Sequence, residues 1–279
     1  MRKIKTQQIT EKIRELALKA NFFLRKDVLN ALESSLISEN NISAKHILQV
    51  LIENAKIANK EKLAICQDTG MAVVFCEIGE DVQIVGDINR AINDGAKAAY
   101  KEGYLRKSVV MDPFVRVNTN TNTPCVIHYD FVKGCKIKLT VLPKGFGSEN
   151  SGKIRMFNPT QSEDDIVDFI VSCVKEAGAS ACPPFILGIG IGGTMDKAAF
   201  LAKKSLLDKI DKENKKAHLA NLERKILLAV NRTNIGPSGL KGDTTCLGVK
   251  ILSFPTHIAG LPVALNISCH ALRSASGTI

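Results

Sequence analysis

From Met71 to Ile78 the chain reads Met-Ala-Val-Val-Phe-Cys-Glu-Ile, an almost unbroken apolar run of strand length. Such a run fits a strand buried on both faces, and a strand of that kind needs a covering layer on each side. Helical sequence stands ready to supply it. Ile9, Ile13, Leu16, Ala17 and Ala20 recur at helical spacing, as do Ile47, Leu48, Leu51, Ile52 and Ala55, with Ser43 as a candidate cap. A further helix is expected from about Asp87 to Glu102.

The pattern then changes. Ile127, Tyr129 and Phe131 alternate with polar residues, and Ile137, Leu139 and Val141 answer them after Lys133-Gly134, which predicts a β-hairpin over Cys125 to Leu142. Thr160 and Glu163 have capping-box spacing ahead of Ile166, Val167, Ile170, Val171 and Val174, and Gly178 is a natural stop for that helix. Strands near Phe185 to Ile191, Cys246 to Phe254 and Pro262 to Ile267 alternate with helices around Asp196 to Leu207 and Asn214 to Val230. No repeat or linker interrupts them. The expected architecture is α/β of mixed type, a single body over 1–279 whose first 60 or so residues are helical, followed by mixed sheets with flanking helices.

A chain of 279 residues with 45% hydrophobic content can bury a full core. No stretch approaches the roughly 20 apolar residues of a bilayer span, and the charged start Met1-Arg2-Lys3 has no signal core. A soluble cytoplasmic protein is expected. The formal charge of +10 comes with three tyrosines and no tryptophan. Lysines alternating with acids between Lys203 and Lys225 read as solvated helix faces, and no stacking platform for nucleic acid is evident.

Eight cysteines are present, Cys66, Cys76, Cys125, Cys135, Cys173, Cys182, Cys246 and Cys269, and none forms a C-x-x-C pair. In a reducing compartment they read as thiols or metal ligands, and any metal site must be assembled from distant segments. Cys173 lies in a helical apolar stripe and Cys135 opens a strand, both common places for a packing cysteine. Cys66-Gln67-Asp68-Thr69-Gly70 sets a soft ligand two residues from a carboxylate at a helix-to-strand junction. Taken alone, a turn with a packing cysteine explains it more economically; metal-assisted acid-base chemistry is the sharper reading.

Two glycine-rich segments invite ligand readings. Gly188-Ile189-Gly190-Ile191-Gly192-Gly193 lacks the position and the following acid of a dinucleotide fingerprint, so backbone room near a ligand is the better expectation. Pro143-Lys144-Gly145-Phe146-Gly147-Ser148-Glu149-Asn150 either cradles an anion or simply connects a strand to a helix. Arg106 in Leu105-Arg106-Lys107-Ser108 has the chemistry to fork onto a carboxylate, and His257 and His270 add titratable groups.

These segments together resemble the iron-sulfur hydro-lyases comprising class I fumarases and L(+)-tartrate dehydratases, in their N-terminal region or separate alpha subunit. The resemblance spans most of the chain. It rests on Cys66-Gln67-Asp68-Thr69-Gly70, Leu105-Arg106-Lys107-Ser108, Asn122-Thr123-Pro124, Gly147-Ser148-Glu149-Asn150, Gly190-Ile191-Gly192-Gly193-Thr194, Gly236-Pro237-Ser238-Gly239-Leu240 and Asn266-Ile267-Ser268-Cys269. It implies a 4Fe-4S cluster held by Cys66, Cys182 and Cys269, with one open iron as Lewis acid. It further implies Asp68 and His257 as catalytic groups, with Gln67, Arg106 and Gly147 binding a dicarboxylate. The expected enzyme is the alpha subunit of a two-subunit fumarate hydratase converting fumarate to malate, with L(+)-tartrate dehydratase as the alternative; a separate beta subunit completes the active site in a hetero-oligomer. Lys241, where the family pattern expects glycine, and Phe146, which interrupts a glycine run, depart from the pattern. Outside the resemblance stand a non-enzymatic basic binding module whose cysteines merely pack, and a nucleotide-binding protein.

Overall fold

A computed structural model describes residues 1–279. In chain order its elements are β1 (Arg2–Lys5), α1 (Thr6–Phe22), α2 (Lys26–Ser38), α3 (Ile42–Glu61), β2 (Met71–Gly79), β3 (Val82–Val85), α4 (Ile88–Glu102), β4 (Val126–Val132) and β5 (Ile137–Lys144). There follow the single turn α5 (Phe146–Glu149), β6 (Lys153–Phe157), α6 (Glu163–Ala177), β7 (Phe185–Gly192), α7 (Met195–Ser205), α8 (Ala217–Asn231), β8 (Cys246–Phe254), β9 (Leu261–Ser268) and β10 (Ala275–Thr278). The class is α/β with mixed sheets. The chain packs into two compact units, one of Met1–Leu24, Ala55–Phe146 and Arg273–Ile279, the other of Arg25–Asn54 and Gly147–Leu272.

The first unit is built around β2, as its apolar run demands. The sheet order is β10-β5-β2-β4, with β2 parallel to β4 and antiparallel to β5. The hairpin expected over Cys125 to Leu142 is therefore absent: β2 inserts between β4 and β5. Alternation identifies a strand but not its neighbour, and the most apolar strand takes the central place because both its faces are buried. Helices α1 and α4 cover one face, Ile9, Ile13 and Leu16 meeting Ile92, Ala96, Val74, Ile137 and Leu139 in one cluster. Asp87 caps α4 by accepting from the Arg90 amide. Cys135 does not open a strand; it is exposed in the turn before β5.

The second unit has sheet order β6-β9-β7-β8, with β7 parallel to β8 and antiparallel to β9. α6 and α8 cover one face through Ile166, Ile170, Val174, Leu222 and Ile226. The box at the start of α6 uses Ser162 and Asp165 rather than Thr160 and Glu163. α7 lies on β7 so closely that a Cβ on Gly190 would stand 2.0 Å from the Ala198 carbonyl, and one on Gly188 2.2 Å from that of Ala202. Gly188 and Gly190 thus make room for a helix, not for a ligand. Lys241 holds φ 66, the left-handed region in which glycine costs least, at the place where the family pattern expects glycine.

Candidate active site

In the first unit the Cys66–Gly70 segment is an irregular stretch leading into β2. The Cys66 thiol donates to Gln67 Oε1 at 3.3 Å. Asp68 accepts from two backbone amides, Gly70 N on Oδ1 at 3.0 Å and Phe146 N on Oδ2 at 2.8 Å. Gly145 has no side chain to obstruct this, since a Cβ there would sit 2.9 Å from Asp68 Oδ2. Gly70, at φ +72, lies with its Cα against the Lys144 backbone, where a Cβ would meet the carbonyl carbon at 2.6 Å.

Three buried polar side chains clamp this segment. The Tyr100 hydroxyl lies 2.7 Å from the Thr69 carbonyl and 3.0 Å from that of Gly70; burial pushes its phenol well above the ordinary value, so it stays protonated as a donor. Arg273 donates from Nη2 to the Asp68 carbonyl. Asn122, fully buried, donates to the Gly70 carbonyl at 3.0 Å while its Oδ1 accepts from Ser108 N at 2.7 Å and Val109 N at 3.2 Å. Thr69 adds a bond from Oγ1 to the Arg106 carbonyl at 3.0 Å. The acid at 68 and the exposed arginine at 106 are consequently carried by two loops that one amide side chain ties together.

In the second unit Cys182 and Cys269 come together although 87 positions separate them in sequence. Antiparallel pairing of β7 and β9 sets Ile186 opposite Ser268, so the residues just outside that pair meet at one end of the sheet. His270 confirms the proximity, with its Nδ1 3.2 Å from the Cys182 carbonyl. Cys182 takes φ 56, which turns the chain sharply after the short helix Gly178–Ala181. Gly147 belongs to the same neighbourhood: a Cβ on it would lie 3.7 Å from the Ser180 carbonyl.

His257 is not brought there. It is exposed in the loop between β8 and β9, where Thr256 donates to the Gly193 carbonyl at 3.0 Å. That loop joins the opposite end of the sheet, and the 8 residues of β9 separate it from Cys269, about 25 Å at strand rise. Within one chain, His257 does not share a site with Cys182 and Cys269.

The thiols divide by burial. Cys76, Cys125 and Cys246 are buried, and desolvation pushes each to about 12; Cys173 is buried and pushed to about 11. Such groups keep their protons and are poor thiolate donors. The accessible cysteines are Cys66, Cys135, Cys182 and Cys269. Cys135 stands in the turn before β5, whereas Asp68 is held beside Gly145 and Phe146 past the far end of that strand. Of the other accessible thiols, Cys66 lies in the first unit and Cys182 and Cys269 lie in the second; each is a soft donor of the kind iron-sulfur clusters take. No group of three or more His, Cys, Asp or Glu side chains is arranged around a single metal ion.

Of the clamp residues, Asn122 stood in the motif Asn122-Thr123-Pro124 without a role, and the others carried little signal in the sequence. Tyr100 falls on the buried face of an amphipathic helix, where it reads as core, and Arg273 and His270 follow Cys269 without a spacing of their own.

A model of the fumarate hydratase (Fumerase) family matches residues 10–278, running through both units. The chain belongs to this family, and so to the hydro-lyases. A chain of Methanocaldococcus jannaschii with the provisional name L(+)-tartrate dehydratase subunit alpha is 39% identical over 275 residues, covering 96% of each chain. The L(+)-tartrate dehydratase subunit alpha of Escherichia coli (strain UTI89 / UPEC) is 28% identical over 277 residues, 96% of this chain and 90% of its own. That of Shigella boydii serotype 4 (strain Sb227) is 27% identical over the same length.

Proposed function

We propose that the chain is the alpha subunit of an iron-sulfur hydro-lyase that removes water reversibly from a four-carbon 2-hydroxydicarboxylate. The single observation that supports it best is the burial pattern of the thiols: the three cysteines that match the family's ligands, Cys66, Cys182 and Cys269, are all among the four accessible ones, and they are the candidate ligands of a 4Fe-4S cluster. When bound, the cluster supplies Lewis acidity toward the departing hydroxyl. The chain's own groups bind and orient the substrate and move a proton. Arg106, exposed on its clamped loop, pairs with a substrate carboxylate, and Gln67 and the amide of Gly147 orient the substrate. Asp68 exchanges the proton on the carbon adjacent to the one that bears the departing hydroxyl; two backbone amides fix its carboxylate and leave lone pairs for the proton.

His257 enters this scheme only from a second chain. A separate beta subunit supplies the remaining contacts, as the designation of the relatives as alpha subunits suggests for them. A cytoplasmic location is part of the proposal; no helix is long and apolar enough to cross a membrane.

The substrate order changes from that expected of the sequence. The names of the relatives favour L(+)-tartrate, while the family description keeps fumarate hydration as the second reading. Anaerobic purification with the partner subunit, followed by assays on L(+)-tartrate, malate and fumarate, decides both points. Brown protein with roughly four irons per chain and preferential turnover of tartrate are expected. Selective turnover of malate and fumarate would reverse the substrate choice, and colourless, iron-free protein after reconstitution would remove the cluster.

A further inference from the structure

Two motif residues have no task in the proposed reaction, Glu149 of Gly147-Ser148-Glu149-Asn150 and Asn266 of Asn266-Ile267-Ser268-Cys269. In the second unit they meet. Asn266 Nδ2 donates to Glu149 Oε2 at 3.0 Å, and Lys203 Nζ, from the last turn of α7, donates to Glu149 Oε1. The carboxylate stands two residues after Gly147, and Asn266 lies on β9 three residues before Cys269. Gly152 lets the segment close on itself: its N–H donates to the Glu149 carbonyl at 3.0 Å, and a Cβ there would stand 3.2 Å from that oxygen and 3.5 Å from the Leu265 carbonyl.

The surroundings do not call for this chemistry. Where α7 meets β9 the layer is made of small apolar groups, Ala198, Ala202 and Ala264. Beside it sit a carboxylate and an ammonium group whose side chains are only 22% and 19% exposed, and Asn266, 7% exposed, whose Oδ1 has no hydrogen-bond partner. A buried acceptor left unpaired costs about 1–3 kcal/mol, and replacing a buried ion pair by apolar residues of similar volume is often neutral or stabilising. Stability alone would therefore favour an apolar set. What the charge-assisted bonds add is direction: they fix the turn that carries Gly147 at one place on β9, where apolar contacts would let it slide.

We propose that Glu149 is a positioning residue, which holds the Gly147 amide in place for substrate by anchoring its turn to β9 through Asn266 and to α7 through Lys203. The proposal rests on the reading of Gly147 as a substrate contact. Gly147 lies beside the Ser180 carbonyl, two residues before Cys182, so a turn that drifted on β9 would move this amide relative to the end of the sheet where Cys182 and Cys269 meet. Lys203, expected on a solvated helix face, is instead the cation that balances the half-buried carboxylate.

Two measurements test this on separate footings. In hydrogen exchange on the full 279-residue chain, the amides of residues 147–152 should exchange about tenfold faster in Glu149→Ala and in Asn266→Ala, with those of α6 unchanged. Glu149→Gln, which keeps an acceptor for Asn266, should stay close to the unaltered protein. In the reconstituted two-subunit holoenzyme, Glu149→Ala should raise KM for the preferred dicarboxylate about tenfold, with kcat and iron content within about twofold of the unaltered enzyme. Glu149→Gln should recover most of that loss, and adding Asn266→Ala to Glu149→Ala should bring no further rise, because both remove the same tie. Faster exchange with unchanged KM would overturn the proposal by reducing Glu149 to a support of the fold, and unchanged exchange would overturn it outright. Failure of the underlying reading looks different: an unaltered holoenzyme with neither iron nor turnover would strike the role of Gly147, and the role of Glu149 with it.

Discussion

The two units hold their candidate site residues by opposite means. In the first, the Cys66–Gly70 segment belongs to no strand or helix and is fixed by the buried side chains of Tyr100, Asn122 and Arg273. In the second, Cys182 and Cys269 flank paired strands, and the β7–β9 ladder itself brings them together. A side-chain clamp fixes atoms at known positions but fails when one partner is removed; a ladder shares its load over many bonds. The first arrangement suits proton transfer and substrate orientation. The second suits a ligand pair that must only stay near.

The largest expected effect falls on iron. Cys182→Ser replaces a soft accessible donor and should abolish stable cluster assembly and activity, while Cys173→Ser alters a buried thiol of α6 and should leave iron content nearly unchanged. Iron quantified per chain after anaerobic reconstitution checks this. Equal loss in both variants would mean that burial does not select the ligands.

Asp68→Asn comes next. It keeps the acceptor for one backbone amide and replaces the group proposed to move the proton, so iron should be retained while turnover falls by roughly 100-fold to 10,000-fold. Near-normal turnover would take Asp68 out of the chemistry and leave it a turn-forming residue, as the pentapeptide alone first suggested.

Asn122→Ala probes the clamp itself. It leaves two amides and a carbonyl without their partner, a loss of about 1–3 kcal/mol for each buried group left unsatisfied, here the Val109 amide and the Gly70 carbonyl. A lowered melting temperature and a raised KM with iron retained are expected, because the loops of Asp68 and Arg106 come apart. Arg106→Ala, on an exposed side chain, should raise KM for the dicarboxylate without lowering the melting temperature. If Asn122→Ala altered stability and left KM unchanged, the clamp would serve the fold alone.

The same contrast explains what the sequence could and could not disclose. β7, β8 and β9 are long apolar runs, and their expected limits fall within two residues of those observed. Their pairing also places Cys182 beside Cys269 once the topology is known. β1, β3, β6 and β10 are 4 or 5 residues long, too short for alternation to register. The β4–β5 hairpin was misread because period two is a property of one strand, while pairing is decided by what else competes for the centre of the sheet. The clamp was invisible for a different reason: Arg273 and Asp68 are 205 positions apart, and no local pattern marks a side chain whose partner is a distant carbonyl. The motif residues Gln67, Asp68 and Arg106 were legible as chemistry, but of the residues that hold them still only Asn122 stood in a motif, and its role was not legible.

The smallest perturbation changes no residue at all. Brief alkylation of the native apoprotein at pH 8, followed by peptide mapping, should label Cys66, Cys135, Cys182 and Cys269 and spare Cys76, Cys125, Cys173 and Cys246. A thiol held at about 12 is thiolate in only about one molecule in ten thousand at that pH, and its burial denies the reagent access as well. These groups bind protons more tightly folded than at their ordinary value of 9.0, so stability is unaffected below pH 9 and falls as pH rises from about 9 toward 12. Protection should therefore be lost in that window. Rapid labelling of Cys246 at pH 8 would show that the second unit opens to its core, and its ladder would then be no firmer a support than the clamp of the first.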